Sequence, residues 1–117
     1  MIIENALASV AVKDVEAAAA WYGKVLDQPA SRPMPEVAEW TFERGGGLQV
    51  YQLSERAGEG SCTLVVSDIE KIAARLESLG IDDSEKSSNE RVKTVMITDP
   101  DGNHLAFAEA LDSTLAR

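Results

Sequence analysis

The sequence predicts an α+β fold made of two copies of a βαβββ module, and an internal repeat is the main support. The stretch from Ala8 to Leu26 returns 54 residues later as the stretch from Cys62 to Gly80. In both copies an alternating apolar segment leads to an aspartate, which begins an apolar stripe with helical spacing. A turn-rich stretch after each predicted helix adds a hairpin to each copy. A repeat of this kind restricts the chain to two related modules.

The two helices are predicted at about residues 14–26 and 68–79. The aspartate at the start of each range can accept hydrogen bonds from the free amides of the first turn. Gly80 supplies a left-handed stop for the second helix, and Asp27 takes the same position in the first. Both helices bury the same face. The apolar stripes are Val15, Ala18, Ala19, Tyr22, Val25 and Leu26 in the first helix, and Ile69, Ile72, Ala73, Leu76 and Leu79 in the second.

The strands are predicted from alternation and turn chemistry. The proline-rich residues 28–35 hold a short edge strand or none, and the charged residues 81–90 hold at most a weak edge strand. Glycines 45–47 and the DPDGN sequence at 99–103 each turn the chain into a hairpin. The well-marked strands are residues 5–12, 37–44, 48–53, 92–98 and 104–109.

The register of the first hairpin stays open, because three glycines in a turn tolerate more than one pairing. A slip of one residue moves every side chain of a strand to the other face. The register therefore decides whether Trp40 shares a face with Gln49 and Tyr51.

Composition narrows the classes of function. The chain has 20 acidic and 11 basic residues, a net charge of −9 and a pI near 4.5. This balance argues against a nucleic-acid partner and against an anionic membrane surface. No apolar run approaches the roughly 20 residues of a membrane span and no basic leader region is present, so we expect a cytoplasmic protein. The single cysteine, Cys62, excludes an intrachain disulfide and a multi-cysteine zinc site.

The domain organisation expected from the repeat is a single domain over residues 1–117. Module one covers residues 5–53, a polar linker follows at 54–60, and module two covers 61–109. Residues 110–117 form a tail, either a short helix or a frayed end.

The pattern resembles the vicinal oxygen chelate superfamily, which includes glyoxalase I, extradiol dioxygenases, fosfomycin-resistance enzymes and bleomycin-resistance proteins. The resemblance is carried by V-x-V-x-D and the helix ending WYGKVL, by the second V-x-D and the helix ending LESLG, and by DPDGN. It covers residues 5–109, and it implies a curved mixed sheet of eight strands around a cavity, with the helices outside. A ferredoxin-like sandwich, the competing α+β fold, does not explain a hairpin after each helix.

The resemblance also implies four metal-ligand positions, which here carry Leu7, Gln49, Ser61 and Ala106; an offset of one would replace Ser61 with Cys62. Only Gln49 can coordinate, and one neutral amide oxygen cannot hold a divalent ion. We therefore expect no metal and no other cofactor. Because the enzymes of the superfamily use the metal as a Lewis acid, glyoxalase and dioxygenase activities are disfavoured.

The function implied is that of the metal-free members, which bind a ligand in the cavity. Such a protein would sequester an antibiotic or another amphipathic or cationic compound. Strand parity in the family register places Leu7, Ser9, Gln49, Tyr51, Ser61, Thr63, His104 and Ala106 on the cavity face. The predicted ligand-binding residues are Gln49, Tyr51, His104, Ser61, Ser9, Thr63 and Trp40, and no catalytic residue is assigned.

Two other classes of function stay open. One is a lyase, isomerase or dioxygenase-like enzyme of the same superfamily. It would use an unrecognised site, or His104, the only side chain that titrates near neutral pH, together with Glu39 or Glu43. The other is a partner-binding or regulatory module. In each case we expect a homodimer, because chains of this length in the family commonly pair, with Trp21 and Met34 available for the contact.

Overall fold

The computed structural model describes residues 2–111 of the chain. Its order of elements is strand, helix and three strands, twice, which confirms the predicted α+β fold of two βαβββ modules. The predicted tail lies outside the described residues, except that Ala110 ends the last strand and Leu111 follows it. The elements are β1 Leu7–Val12, α1 Val15–Leu26, β2 Ser31–Met34, β3 Val37–Thr41, β4 Gly47–Gln52, a 3-10 turn Ser54–Arg56, β5 Ser61–Val65, α2 Ile69–Ser78, β6 Glu85–Ser88, β7 Val92–Thr98 and β8 His104–Ala110.

The strands form two four-stranded sheets with the same topology. Sheet A has the order β1-β4-β3-β2 and sheet B the order β5-β8-β7-β6. In each sheet the first strand of the module pairs in parallel with the last, and the other pairs are antiparallel. The segments left ambiguous by the sequence form β2 and β6, four-residue edge strands that are exposed throughout. β2 tolerates Pro33 because an edge strand pairs on one side only, and the missing N–H of proline can face away from that side.

The helices begin where the sequence predicts. The Asp14 carboxylate accepts hydrogen bonds from the amides of two residues in the first turn of α1, and Asp68 does the same for α2. Such caps stabilise a helix by about 1 kcal/mol each, because they satisfy amides that have no partner within the helix. Asp27 and Gly80 follow the two helices with φ of 55° and 71°, the left-handed conformation expected at both positions.

The core of module one lies between α1 and one face of sheet A. Tyr22 is fully buried, and its ring centroid lies 5.8 Å from that of Trp40, which is 1% exposed. The indole nitrogen of Trp40 donates to the carbonyl of Gln28 at 2.8 Å, so its polar atom is satisfied. The other buried residues on this face are Val10, Val12, Ala38, Leu48 and Val50.

The core of module two has the corresponding arrangement. α2 contributes Ile69, Ala73 and Leu76 to the covered face of sheet B. The buried sheet residues beneath them are Val95, Ile97, Leu105 and Phe107. Complete burial of each large apolar side chain stabilises the fold by roughly 1.5–3 kcal/mol. We define the open face of a sheet as the one that its own helix does not cover.

The chain divides into two compact units that are not quite the two modules. The division falls after Gly60, but the DPDGN turn at Pro100–Asn103 belongs to the first unit. There the fully buried Asn103 donates to the carbonyl of Ala11 at 2.8 Å and accepts from the amide of Gly60 at 2.8 Å. The amide of Lys13 donates to Asp101 at 3.0 Å. The predicted turn is present, and it is a buried anchor in the first unit as well as a connection between strands.

Within residues 2–111, no helix has both the length and the apolar character needed to cross a membrane.

Candidate functional site

A line of hydrogen-bonded polar side chains crosses the open face of sheet A. Strand pairing places Gln49 between Ser9 and Glu39, on three neighbouring strands. The Gln49 amide nitrogen donates to the Glu39 carboxylate at 2.9 Å, and the Ser9 hydroxyl donates to the Gln49 amide oxygen at 3.4 Å. These bonds fix the orientation of the amide, because each of its ends has a partner of the right kind. The line ends in a half-buried carboxylate.

The neighbouring row of side chains on this face is largely apolar. Tyr51 is half-buried, and strand pairing sets it between Ala11 and Val37, both of which are buried. On the other side of the polar line, Leu7 is 43% exposed and lies beside Gly47. A Cβ on Gly47 would lie 2.6 Å from Leu7 Cδ2 and 2.7 Å from the carbonyl oxygen of Trp40, so only glycine allows this close packing. The face therefore combines one aromatic ring, apolar surface and one negative charge.

The charge of Glu39 is not balanced by a basic side chain of the part of the chain that the structure describes. Among residues 2–111, no lysine or arginine forms an ion pair with it. Arg32, on the neighbouring strand, makes two hydrogen bonds to Glu16 instead, at 2.9 and 3.0 Å. A half-buried carboxylate without a cation favours a positively charged ligand group.

Trp40 does not join this face, and its prediction as a ligand-binding residue needs correction. The register pairs Trp40 with Leu48, one residue away from Gln49, so the indole projects from the opposite face and is buried against Tyr22. The same register brings Glu39 beside Gln49. Sequence reasoning named Glu39 only as a partner for an enzymatic histidine, because the three-glycine turn left the register open.

The other predicted ligand residues lie on the open face of sheet B. One row consists of Ser61, His104 and Thr98, and the next includes Thr63 and Ala106. His104 is exposed, and within the described part of the chain no carboxylate accepts a hydrogen bond from its ring. The described residues of this unit therefore provide hydroxyl groups and an imidazole, but no hydrogen-bonded acid-base pair.

The four positions of the family's metal ligands occupy equivalent places in the two sheets, but the residues at them are not a set of metal ligands. Leu7 and Gln49 lie on the two parallel strands of sheet A, two residues apart in register, and Ser61 and Ala106 have the same relation in sheet B. Leucine and alanine offer no donor atom, so this set does not fit a divalent ion. No group of three or more His, Cys, Asp and Glu residues within 2–111 is placed to hold a metal ion.

Cys62, the alternative to Ser61 at one of these positions, lies on the wrong face. It pairs with Leu105 on the side covered by α2. Burial raises the pKa of its thiol, and the nearby charge of Asp99 adds to that effect. Cys62 is therefore a partly buried, protonated side chain of the sheet at neutral pH.

The comparisons with known proteins agree with this architecture. A family model described as a glyoxalase-like domain matches residues 8–108. The chain belongs to this family. The resemblance inferred from the repeat and the DPDGN turn is thereby confirmed. No curated protein matches the sequence of this chain.

Solved structures share the fold over nearly the whole chain. A glyoxalase/bleomycin resistance protein from Catenulispora acidiphila is 32% identical, with 92% of this chain and 98% of that one covered and a TM-score of 0.82. A lactoylglutathione lyase from Agrobacterium tumefaciens is 17% identical, with coverages of 93% and 94% and a TM-score of 0.75. A virulence protein from Salmonella typhimurium is 19% identical, with coverages of 93% and 98% and a TM-score of 0.73. The last two establish similarity of fold alone.

Proposed function

We propose that this glyoxalase-like domain binds a small amphipathic cation on the open face of sheet A, without a metal ion. The observation that carries the proposal is the line from Ser9 through Gln49 to the unbalanced carboxylate of Glu39. Pockets for small molecules typically combine apolar surface with a few polar groups of fixed orientation. The open face of sheet A has both.

Each part of this face has a distinct role in the proposal. The Glu39 carboxylate receives the positive group of the ligand, since charge-assisted hydrogen bonds are about twice as strong as neutral ones. The ring of Tyr51 stacks on the apolar or aromatic part of the ligand, or lies against the cation itself. Gln49 holds the carboxylate in place. Ser61, Thr63 and His104 offer polar groups on the open face of sheet B and remain predicted ligand contacts.

The relative from Catenulispora acidiphila supports the class of ligand, because its name includes bleomycin resistance. Bleomycin is an amphipathic cation, and sequestration of such a compound needs binding but no chemistry. The donor set at the family's metal positions supports the metal-independent half of the proposal, since two of its four residues have no coordinating atom.

Calorimetry with paired probes tests the ligand half. Metal-free bleomycin and benzylammonium should bind, and benzyl alcohol, the neutral analogue, should bind at least about tenfold more weakly because it lacks the charge. Glu39→Gln should weaken cation binding by about tenfold, and Gln49→Ala and Tyr51→Ala should each weaken it severalfold. Glu36→Gln is the matched control, since it removes the same charge from an exposed residue nearby. Equal losses in Glu39→Gln and Glu36→Gln would show that only the overall charge matters.

Elemental analysis and calorimetry against zinc, nickel, manganese and iron test the metal half. We expect less than one metal ion per chain in the purified protein. Any weak metal binding should be the same in Gln49→Ala as in the parent. One metal ion bound per chain and lost in Gln49→Ala would overturn metal independence.

We also propose that the protein is a homodimer. Apolar side chains are exposed at Leu7, Met34 and Val65, which are 43%, 53% and 50% exposed. Trp21, the other residue expected at such a contact, is half-buried with its ring against Tyr22. Light scattering should give twice the chain mass of 12.6 kDa. The monomer mass at micromolar concentration would reject the dimer.

A further inference from the structure

The second unit contains a groove between α2 and the edge of sheet B. The groove lies on the face covered by the helix, and its volume is about 280 Å³. Its floor is apolar, formed by Ile69, Ala73 and Val95. The groove is therefore on the other side of the sheet from Ser61, Thr63 and His104.

In the first unit, an arginine bridges the corresponding helix and edge strand. Arg32 on β2 reaches α1, where it makes two hydrogen bonds to Glu16, and it also donates to the carbonyls of Val37 and Pro35 at 3.0 and 2.7 Å. The edge strand and the helix are thus bridged by one side chain. The repeat places Lys86 at the position of Arg32 and Glu70 at that of Glu16, each 54 residues later.

The bridge does not form in the second unit because Lys86 faces another partner. Its ammonium lies 3.4 Å from Asp83, a residue of the preceding loop, and Glu70 is paired with Lys93 at 3.6 Å. Both contacts are long and partly exposed, so each stabilises the fold little and is easily exchanged. The groove keeps its apolar floor and stays open.

Two lysines supply the cationic groups at the groove. Strand pairing sets Lys86 beside Val95 and Ser88 beside Lys93, so both lysines project from the covered face of the sheet. Glu70 is the only acidic residue among the described residues that line the groove. Two lysines thus face the groove in a chain whose overall net charge is −9, and the carboxylate of Asp83 pairs with one of them from just outside the lining. The amides at the start of α2 are not available to a ligand, because they donate their hydrogen bonds to the carboxylates of Asp68 and Glu109.

We propose that this groove binds a small carboxylate with an apolar group, the carboxylate between Lys86 and Lys93 and the apolar group on Ile69, Ala73 and Val95. The volume suits a ligand with a single aromatic ring or a short alkyl chain, since sites for larger ligands start at about 300 Å³. Binding exchanges two weak surface ion pairs for two charge-assisted contacts and sets the apolar group against a floor of which each residue is at most 9% exposed. The site shares no residue with the open face of sheet A, so the two proposals can fail separately.

Phenylacetate and its neutral analogue phenylacetamide are the probes, and amide chemical shifts followed by NMR are the measurement. Phenylacetate at millimolar concentration should shift the amides of residues 69–73, 86–88 and 93–95, and phenylacetamide should bind about tenfold more weakly. Lys86→Met and Lys93→Met should each weaken phenylacetate binding by about tenfold. Glu70→Gln should strengthen it, because it releases Lys93. Lys71→Met is the matched control, an exposed lysine on the same helix that does not line the groove.

Any of three results would overturn the proposal. The first is that phenylacetate at millimolar concentration leaves these amides unshifted. The second is equal binding of the acid and the amide, which would mean that the lysines do not recognise charge. The third is a loss of binding in Lys71→Met as large as in Lys86→Met, which would mean that only the total charge matters. Thermal melting of each variant shows that it is folded, so a loss of binding is assigned to the groove.

Discussion

The two modules share a scaffold but differ on both faces of their sheets. In module one the side chain of Gln52 accepts a hydrogen bond from the first amide of α1 at 2.9 Å, and in module two Glu109 does the same for α2 at 2.8 Å. The capping aspartates Asp14 and Asp68 correspond in the same way. The repeat thus preserves the contacts that position each helix on its sheet.

The differences between the modules lie where a ligand would bind. The polar line of Ser9, Gln49 and Glu39 on sheet A corresponds by strand pairing to Thr63, Ala106 and Met96 on sheet B. On the covered faces, the arginine bridge of module one corresponds to the open groove of module two. Duplication has therefore left one framework with two different surfaces, so function is better inferred from the differences between the modules than from their likeness.

The largest expected effect concerns the core. Trp40→Ala should lower the free energy of unfolding by about 3–5 kcal/mol, because it leaves a cavity beside Tyr22 and removes the hydrogen bond to Gln28. Trp21→Ala should cost about 1 kcal/mol, since Trp21 is only half-buried. Denaturant unfolding measures both. If Trp40→Ala is as mild as Trp21→Ala, the first hairpin has a different register.

The DPDGN turn is a second difference between the units, because its residues Pro100–Asn103 belong to the first unit although they lie in the second half of the chain. Asn103→Ala should lower the free energy of unfolding by about 2–4 kcal/mol, since it leaves the carbonyl of Ala11 and the amide of Gly60 without their partner. Asn89→Ala, in an exposed turn, should cost about 1 kcal/mol. Equal costs measured by denaturant unfolding would mean that the DPDGN turn is not an anchor.

The sequence was sufficient for the fold and for placing Ser9, Gln49 and Tyr51 on one face of the first sheet. The 54-residue repeat, the capping aspartates and the DPDGN turn specify helices and strands locally, so their bounds were predicted to within a few residues. The edge strands β2 and β6 were uncertain because short polar segments carry no alternation. The placement of Trp40 and Glu39 needed the hairpin register, which the glycines at 45–47 do not determine.

The groove could not be predicted for a different reason. Arg32 and Lys86 correspond in the repeat, and both are basic, so the sequence alone suggests equal roles. Arginine can form a bidentate bridge to a carboxylate, whereas lysine is a single point charge on a flexible chain. Whether Lys86 bridges to the helix depends on which other carboxylates compete for it. That Asp83 is such a competitor follows only from the structure.

The smallest expected effect is the pH dependence of the arginine bridge. Arg32, through its hydrogen bonds and then its charge, holds the pKa of Glu16 below its ordinary value. A lowered pKa means that the bridge stabilises the fold above the ordinary pKa of glutamate, and that this stabilisation is lost as the pH falls through the lowered value. The pair is exposed, so the effect is small. The difference in unfolding free energy between the parent and Arg32→Met should be small at neutral pH and should narrow in acid to the part that comes from the carbonyls of Val37 and Pro35. Lys71→Met, which removes an exposed lysine that has no ion pair within residues 2–111, should show no such narrowing. A difference for Arg32→Met that is as large in acid as at neutral pH would rule out the bridge.

Binding of a cation through Glu39 on the open face of sheet A is tested most directly by NMR. The measurement maps the amide chemical shifts of the protein during titration with metal-free bleomycin. We predict saturable shifts centred on Ser9, Glu39, Gln49 and Tyr51, with a dissociation constant about tenfold higher in Glu39→Gln and unchanged in Glu36→Gln. Saturable shifts that leave these four residues unchanged, or the same dissociation constant in Glu39→Gln as in the parent, would contradict cation binding at this face.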